Sequence, residues 1–290
     1  MYGKQNLKDT IAVTERSVEC PVKGCRRVVE RQCHHFCCDA RFLCPDHQIY
    51  VSPSTFEYSR LEANLLWQRP TDLGLLEEVV KAKRECRMAR DNSEDAVTWN
   101  IFRYLEISDQ LSGLLSHIAQ TPFHSAELIY WSYSAKTGGA WPELNTARLA
   151  FGENPEHGSE PDLIAVTDKA IFFIEAKLTA TNDTQSRHNG QNYLDGGSGW
   201  YKQVFRSDFD TVAVRARKYE LLRFWLLGSW LAKEMKKDFY LINIVLAERE
   251  QDIEARFLPH VITDDRRHFM RLTWENLYGH IIAHAPPSQD

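Results

Sequence analysis

Two apolar stretches of the chain, 162–167 and 170–177, are separated by a polar pair of residues. Both stretches are rich in β-branched and aromatic residues, which predicts two antiparallel strands joined by a tight turn. Side chains alternate in direction along a strand, so Glu175 and Lys177 are expected on the same face. The pattern therefore predicts a hairpin that carries two charged side chains at its end.

The apolar pattern beyond this hairpin predicts further helices and strands, and hence an α/β fold. A continuous apolar run at 240–247 is typical of a strand buried on both faces, and 212–236 predicts a long helix. The most apolar part of that helix is too short to span a bilayer, so a core helix is expected. The remaining predictions are a first strand at 128–134, another strand at 258–263, and a last helix that starts near Thr273.

A helix is predicted to precede the sheet. Ser93 suits the N-cap, and Glu94 and Asp95 suit the first turn, where acidic side chains complement the helix dipole. Upstream, 60–92 predicts a bridging helix, whereas the glycine-rich stretch 182–199 predicts a mobile loop.

The charged residues of the hairpin can carry chemistry. Asp162 begins the first strand and Glu175 ends the second, and both offer the hard oxygen ligands that Mg²⁺ prefers. A bound Mg²⁺ polarises a phosphodiester and lowers the pKa of an attacking water, and Lys177 can orient that water. The alternative is an ion pair at a strand end that contributes little. An apolar strand that runs straight into two charges on one face favours a functional site.

This arrangement, Pro161-Asp162 followed by Glu175-Ala176-Lys177, resembles the PD-(D/E)xK, or restriction-endonuclease-like, nuclease superfamily. The resemblance covers about residues 94–280. It implies a restriction-endonuclease-like core, with a mixed central sheet flanked by helices, and cleavage of phosphodiester bonds that depends on Mg²⁺ or Mn²⁺.

The same resemblance implies two supporting residues. A glutamate on the first core helix often adds to the metal site, and Glu94 matches by position, although complementing the helix dipole explains it equally well. Some branches place a glutamine after the lysine strand, and Gln203 is the candidate. Ser207 stands where those branches carry a tyrosine.

The amino end is rich in cysteine: six of the seven cysteines lie between residues 20 and 44, and no secretory signal is expected before them. In a reducing cytoplasm, such a cluster is more often metal-binding than disulfide-bonded. Structural zinc takes four sulfur or nitrogen ligands in a tetrahedron. Two close pairs supply such a set and resemble a zinc ribbon or knuckle: Cys20 with Cys25, and Cys44 with His47.

Five further residues of ligand type are surplus to this set: Cys33, His34, His35, Cys37 and Cys38. They can replace one of the four ligands, form a second site or, in the case of the cysteines, pack as small buried hydrophobes. The predicted organisation is a zinc-binding module at 1–59, a helical linker at 60–92 and a nuclease domain at 93–290.

The charge balance limits the expected partners. The net charge is −5, whereas a dedicated nucleic-acid binder is usually basic, so tight sequence-blind binding is not expected. The resemblance implies DNA as the substrate and a role in restriction or anti-phage defence, and RNA is a possible substrate. A cytoplasmic location without membrane contact is expected, because neither a secretory signal nor a bilayer-spanning stretch is predicted. A defence-system protein is a possible partner, and cleavage of both strands would suggest a homodimer. The alternatives are a non-catalytic zinc-containing module that binds nucleic acid or protein, and an RNA-cleaving enzyme with the same site.

Overall fold

The computed structural model describes residues 1–33, 36–83 and 85–285. The chain is mixed α/β and forms two compact units. The first unit comprises Met1–Gly74 and Glu85–Ile101, and the second comprises the described residues of Leu75–Arg84 and Phe102–Asp290.

The first unit is built from very short antiparallel strands. One sheet pairs β1 (Ser17–Glu19) with β2 (Val28–Glu30), and the other contains β3 (Leu43–Cys44), β4 (Ile49–Val51) and β5 (Phe56–Tyr58). Val18, Ile49 and Phe56 belong to its apolar core. Strands of two or three residues bury little apolar surface, so such a unit needs a further source of stability.

Two helices contribute residues to both units: α1 (Pro70–Ala82) and α2 (Glu94–Ile107). The start of α2 confirms the predicted cap, because the Ser93 hydroxyl accepts the backbone N–H of Ala96 at 3.0 Å. Helix α1 is shorter than the predicted bridging helix at 60–92.

The second unit contains a large mixed sheet flanked by helices. Its strands are β6 (Ala126–Tyr130), β7 (Tyr133–Ser134), β8 (Gly139–Ala140), β9 (Leu163–Thr167), β10 (Ala170–Ala176), β11 (Asp238–Val245) and β12 (Arg267–Thr273). Its helices are α3 (Leu111–Ala119), α4 (Pro142–Ala150), α5 (Gln191–Gly199), α6 (Tyr201–Val204), α7 (Tyr219–Glu234), α8 (Ile253–Phe257) and α9 (Trp274–His284).

The strand order in this sheet is β12-β11-β10-β9-β6-β7-β8. The predicted hairpin is confirmed: β9 and β10 are antiparallel, and β6 pairs with β9 antiparallel on the other side. Strands β10, β11 and β12 are parallel neighbours. A parallel pair needs a crossover, and α7 lies between β10 and β11 in the chain.

Helix α7 packs on one face of β10 and β11. Ile171 and Phe173 of β10 share an apolar cluster with Phe239 of β11 and with Leu227 of the helix. Side chains on a strand alternate, so Glu175 continues the face of Ile171 and Phe173. The helix therefore covers the face of the sheet on which the charged end of β10 lies.

The close packing of α7 on the sheet predicts a measurable cost for adding a single methyl group. A Cβ on Gly228 would overlap the Phe239 ring and approach Phe173 Cδ2 to 3.1 Å. Overpacking of this kind costs about 1–3 kcal/mol, which exceeds the roughly 0.5–1 kcal/mol that alanine gains over glycine in a helix. Gly228→Ala is therefore expected to lower the free energy of unfolding, as measured by denaturant titration.

The matched control is Gly113→Ala on the exposed side of α3, where a Cβ would meet no atom within 4 Å. This variant is expected to unfold at the same denaturant concentration as the parent or at a slightly higher one. Equal stability of Gly228→Ala and Gly113→Ala would contradict the packing of α7 described here.

Several predicted elements are wrong in type or extent. The first strand, expected at 128–134, is divided into β6 and β7 because Trp131 and Ser132 take positive φ values between them. The expected single helix at 212–236 is a π-helical turn at Thr211–Arg215 followed by α7, because Arg217 takes a positive φ of 55° and interrupts the helix. The strand expected at 258–263 is absent, since Leu258–His260 forms a 3₁₀ turn. The last strand is β12, which the hydrophobic pattern did not reveal.

The stretch 182–199, predicted as a mobile loop, contains α5 in its second half. Its glycines allow close packing: a Cβ on Gly196 would lie 2.5 Å from Phe151 Cδ1, and one on Gly197 would lie 2.8 Å from Trp230 Cδ1. These positions exclude a side chain because large aromatic rings press against the backbone.

Candidate functional site

The carboxylate of Asp162 is fixed at the open end of the β9–β10 hairpin. Its Oδ1 accepts the indole N–H of Trp131 at 3.0 Å, and its Oδ2 accepts the backbone N–H of Ala176 at 2.9 Å. Ala176 is the last residue of β10, so the second bond ties together the ends of the two strands. A carboxylate oriented in this way is also the type of hard oxygen ligand that a divalent cation prefers.

Glu175 and Lys177 lie beside this carboxylate. Glu175 is buried, and its Oε1 accepts from the Lys177 ammonium. The backbone of Lys177 is held from two sides: its N–H donates to Ile244 O at 2.7 Å, and its carbonyl accepts the indole N–H of Trp274 at 3.1 Å. Asp162 interacts electrostatically with both Glu175 and Lys177, so the structure brings the three predicted side chains together.

A fourth charged residue, Glu220, joins this group from the first turn of α7. Its carboxylate lies 3.3 Å from the Lys177 ammonium, and its backbone N–H donates to the Thr184 hydroxyl at 2.8 Å. Glu220 is not among the residues that the sequence pattern predicted. The signal that could have indicated it is an acidic residue at the start of a core helix, a feature that Glu220 shares with Glu94.

The electrostatics of the group favour an added positive charge. When all four groups are ionised, three carboxylates face one ammonium. Burial and the neighbouring Asp162 raise the pKa of Glu175 well above its usual range. Burial lowers the pKa of Lys177, but the surrounding carboxylates outweigh it, so the pKa of that ammonium is raised. Asp162, Glu175, Glu220 and Lys177, called the carboxylate cluster below, therefore form a group in which a proton or a cation would relieve repulsion.

A buried amide network supports the cluster from β11. Asn243 lies opposite Glu175 in the register of β10 and β11, and its Nδ2 donates to the Glu175 carbonyl at 3.3 Å. The Asn243 side-chain oxygen accepts from Asn182 Nδ2 at 3.1 Å, and the Asn182 backbone N–H donates to Glu250 at 3.2 Å. The fully buried Lys218 lies 3.8 Å from Glu250. The network fixes the segment that leaves β10, and with it the position of Lys177.

The turn that supplies the Trp131 donor is strained. Trp131 and Ser132 take positive φ values of 43° and 75° between β6 and β7. Such conformations cost about 1–3 kcal/mol each for residues other than glycine, and they occur preferentially at functional sites. Here the strained turn aims the Trp131 indole at Asp162.

The two supporting residues implied by the family resemblance remain predictions. Glu94 is the first residue of α2 and belongs to the first unit, whereas the carboxylate cluster lies in the second. Gln203 is exposed on the short helix α6. In the part of helix α2 that belongs to the second unit, Glu106 accepts from the Tyr130 hydroxyl at 3.0 Å.

The first unit contains the second candidate site. Cys20, Cys25, Cys44 and His47 bring their ligand atoms within 4.8 Å of one another, and all but the half-buried His47 are buried. The Cys44 and Cys20 sulfurs lie 3.5 and 3.7 Å from His47 Nδ1, and the Cys25 and Cys44 sulfurs lie 3.9 Å apart. A tetrahedral zinc ion with usual bond lengths places S and N about 3.5 Å apart, and two sulfurs about 3.8 Å apart. The predicted set can therefore hold a metal ion such as zinc.

Local backbone structure shapes this metal group. Gly24 has a positive φ of 80° in the turn that carries Cys25, a conformation that favours glycine. Lys8, which the sequence analysis did not identify, donates its ammonium to the carbonyls of Cys20 at 2.9 Å and Cys25 at 2.6 Å. Arg27 makes two hydrogen bonds to Asp46, at 2.7 and 3.0 Å, which joins the turns that follow Cys25 and Cys44.

The surplus cysteines lie outside the metal group. Cys33, Cys37 and Cys38 are exposed and free, and His34 and His35 fall outside the described residues. Burial raises the pKa of the Cys20 thiol, and so do the neighbouring sulfurs, because both disfavour the thiolate. A bound metal ion would reverse that effect, because thiolates are its ligands.

Comparison with protein-family models, with curated proteins and with solved structures found no match to this chain. Within the described ranges 1–33, 36–83 and 85–285, no helix is long and apolar enough to cross a membrane.

Proposed function

We propose that the protein is a metal-dependent nuclease of the restriction-endonuclease-like type, with DNA as its substrate and Mg²⁺ or Mn²⁺ as its catalytic cation. The observation that carries the proposal is the meeting of Asp162, Glu175 and Lys177 at the end of β10. Three carboxylates with one ammonium suit a divalent cation, which would balance their excess negative charge.

The order of elements around the cluster supports the fold assignment. The resemblance implies that a helix with an acidic residue comes first, and that a helix and then a strand follow the lysine. Helix α2 begins with Glu94, and α7 and β11 follow β10 in the chain, with β11 parallel to β10.

Each residue has a distinct role in this proposal. Asp162 and Glu175 hold the cation, which polarises the scissile phosphate. Lys177 orients the attacking water and stabilises charge that develops on the phosphate. Glu220 also contacts the Lys177 ammonium, at 3.3 Å, and helps Glu175 to hold it in place. Trp131 and Ala176 fix the direction of the Asp162 carboxylate.

We also propose that Cys20, Cys25, Cys44 and His47 bind one structural zinc ion. Two observations support this proposal: the distances between the ligand atoms are close to those of a tetrahedral site, and the three sulfurs are buried. A closed set of four protein ligands leaves no open coordination position, as in structural rather than catalytic zinc sites. The zinc would then stabilise a unit whose strands are too short to be stable alone.

A cleavage assay tests the nuclease proposal. Purified protein is incubated with supercoiled plasmid, single-stranded DNA and RNA, each with Mg²⁺, with Mn²⁺ and with EDTA. Nicking or linearisation of the plasmid is expected with either cation, and EDTA is expected to prevent it. Cleavage of RNA alone would reassign the substrate. No cleavage of any nucleic acid by folded, zinc-loaded protein would contradict the proposal and leave a non-catalytic binding module.

A further inference from the structure

Arg223 on α7 is a partly buried arginine that forms no ion pair with any residue that the structure describes. Its Nε is enclosed and without a hydrogen-bond acceptor, and within the described part of the chain no carboxylate oxygen lies within 4.0 Å of its guanidinium. The Arg223 guanidinium lies over the Tyr219 ring, whose centroid is 4.8 Å from Arg223 Cζ. A buried charge without a hydrogen-bonded partner is costly, so a guanidinium left in this state points to a missing anion.

A buried carboxylate that interacts electrostatically with Arg223 already accepts hydrogen bonds from other donors. Glu153 accepts from the Ser159 N–H at 2.5 Å, from the Ser159 hydroxyl at 2.6 Å and from the Tyr193 hydroxyl at 2.8 Å. Glu153 still raises the pKa of Arg223 against the effect of burial, which lowers it, so the guanidinium stays charged. Glu153 thus stabilises the positive charge of Arg223 electrostatically but forms no ion pair with it.

A second arginine of the same unit shows how a guanidinium with a structural role obtains its hydrogen-bond acceptors. Arg148 on α4 is buried, and its side chain donates to the Ser159 carbonyl at 3.0 and 2.6 Å, to Pro155 O at 2.9 Å and to Ser132 Oγ at 2.7 Å. Arg223 has no comparable set of acceptors. The difference separates an arginine used for packing from one that is free to bind a ligand.

The position of Arg223 relates it to the carboxylate cluster. Glu220 and Arg223 are three residues apart on α7, so they lie on the same face of the helix. Glu220 lies 3.3 Å from Lys177, and it interacts electrostatically with Arg223. Arg223 therefore lies next to the cluster, on the helix that covers the charged end of β10.

We propose that Arg223 binds a phosphate of the nucleic acid at the carboxylate cluster. This inference rests on the proposed nuclease function. The planar guanidinium can donate two parallel hydrogen bonds to the non-bridging oxygens of a phosphate, and the Tyr219 ring restrains its plane. A phosphate held there would place the adjoining phosphodiester near the cation of Asp162 and Glu175. Arg223 would also offset the negative charge that otherwise repels nucleic acid from this acidic chain.

A binding assay tests this inference separately from cleavage. The affinity of a fluorescein-labelled duplex DNA is measured by anisotropy in Ca²⁺, with an intact-substrate check by gel, over a series of salt concentrations. Charge-assisted hydrogen bonds contribute about 1.5–3 kcal/mol, so Arg223→Ala is expected to weaken binding by roughly 10- to 100-fold. The magnitude of the slope of log affinity against log salt should fall by about 1, which is the contribution of one phosphate contact.

Two further variants complete the design. Arg215→Ala is the matched control, because Arg215 is an exposed arginine paired with Asp210 at 3.0 Å. The DNA affinity and the salt slope of this variant should match those of the parent. Arg223→Lys keeps the charge without the planar fork, so its affinity should lie between those of the parent and Arg223→Ala. It also serves as the test if the alanine variant does not fold.

The outcomes distinguish the two proposals. Equal affinity and salt slope in the parent, Arg223→Ala and Arg223→Lys would overturn the assignment of Arg223, even if the parent cleaves DNA. A lower melting temperature of the variants with an unchanged salt slope would make Arg223 structural and also overturn it. Weakened binding with the expected change in slope would support the phosphate contact of Arg223. If the parent then showed no Mg²⁺-dependent cleavage, the nuclease function would be rejected, but the phosphate contact would not.

Discussion

Replacing Lys177 by alanine is expected to lower the rate of Mg²⁺-dependent DNA cleavage by roughly 100- to 1000-fold, the usual cost of removing one group that stabilises transition-state charge. The Lys177 ammonium lies between Glu175 and Glu220, so it is held in place before substrate binds. The variant should still bind the cation, because the carboxylates remain. The measurement is the initial rate of plasmid nicking at saturating Mg²⁺.

The control for this prediction comes from the other end of the same hairpin. Lys169 is exposed in the turn between β9 and β10 and donates to Pro122 O at 2.9 Å, so Lys169→Ala should cleave at the parental rate. Lys177→Met, which keeps the apolar stem of the side chain, separates loss of charge from loss of packing. Parental cleavage rates in both Lys177 variants would show that Lys177 has no catalytic role.

Replacing Cys44 by serine is expected to remove zinc from the protein and to unfold the first unit. Cys44 contacts two of its three partners closely, with its sulfur 3.5 Å from His47 Nδ1 and 3.9 Å from Cys25 Sγ. Structural zinc contributes apparent binding free energies of about 10–16 kcal/mol in small zinc-dependent folds, far more than strands of two or three residues can supply. The parent should contain one zinc per chain by elemental analysis.

Cys86→Ser provides the comparison, because Cys86 is not part of the metal group. Its zinc content and calorimetric unfolding profile should match those of the parent. For Cys44→Ser, the transition of the first unit should be lost while that of the second unit is retained. A zinc-free parent, purified under reducing conditions, that unfolds at the same temperature with and without added zinc would contradict the prediction.

Local patterns in the sequence predicted the parts of both sites that depend on short-range geometry. The hairpin follows from two apolar runs around a polar turn, and alternation along β10 places Glu175 and Lys177 on one face. The four metal ligands could be chosen because each close pair is brought together by its own turn. The N-cap at Ser93 is likewise a local feature.

Residues whose roles depend on packing could not be predicted in this way. Glu220 meets the Lys177 ammonium only because α7 packs on the face of the sheet that carries Glu175, and nothing within the helix sequence specifies that contact. The glycines of α5 had the composition of a loop, yet Gly196 and Gly197 are required where Phe151 and Trp230 press against the backbone. Composition alone does not distinguish a glycine needed for backbone flexibility from one needed because a neighbouring side chain packs against the backbone.

The central claim is that Asp162 and Glu175 hold one divalent cation together at the end of β10. A crystal soaked in Mn²⁺ tests it most directly through the anomalous signal of the ion. We expect a peak coordinated by one oxygen of Asp162 and one oxygen of Glu175, with the Lys177 ammonium nearby. A structure with Mn²⁺ bound elsewhere, or with the two carboxylates facing apart and no peak between them, would contradict the account.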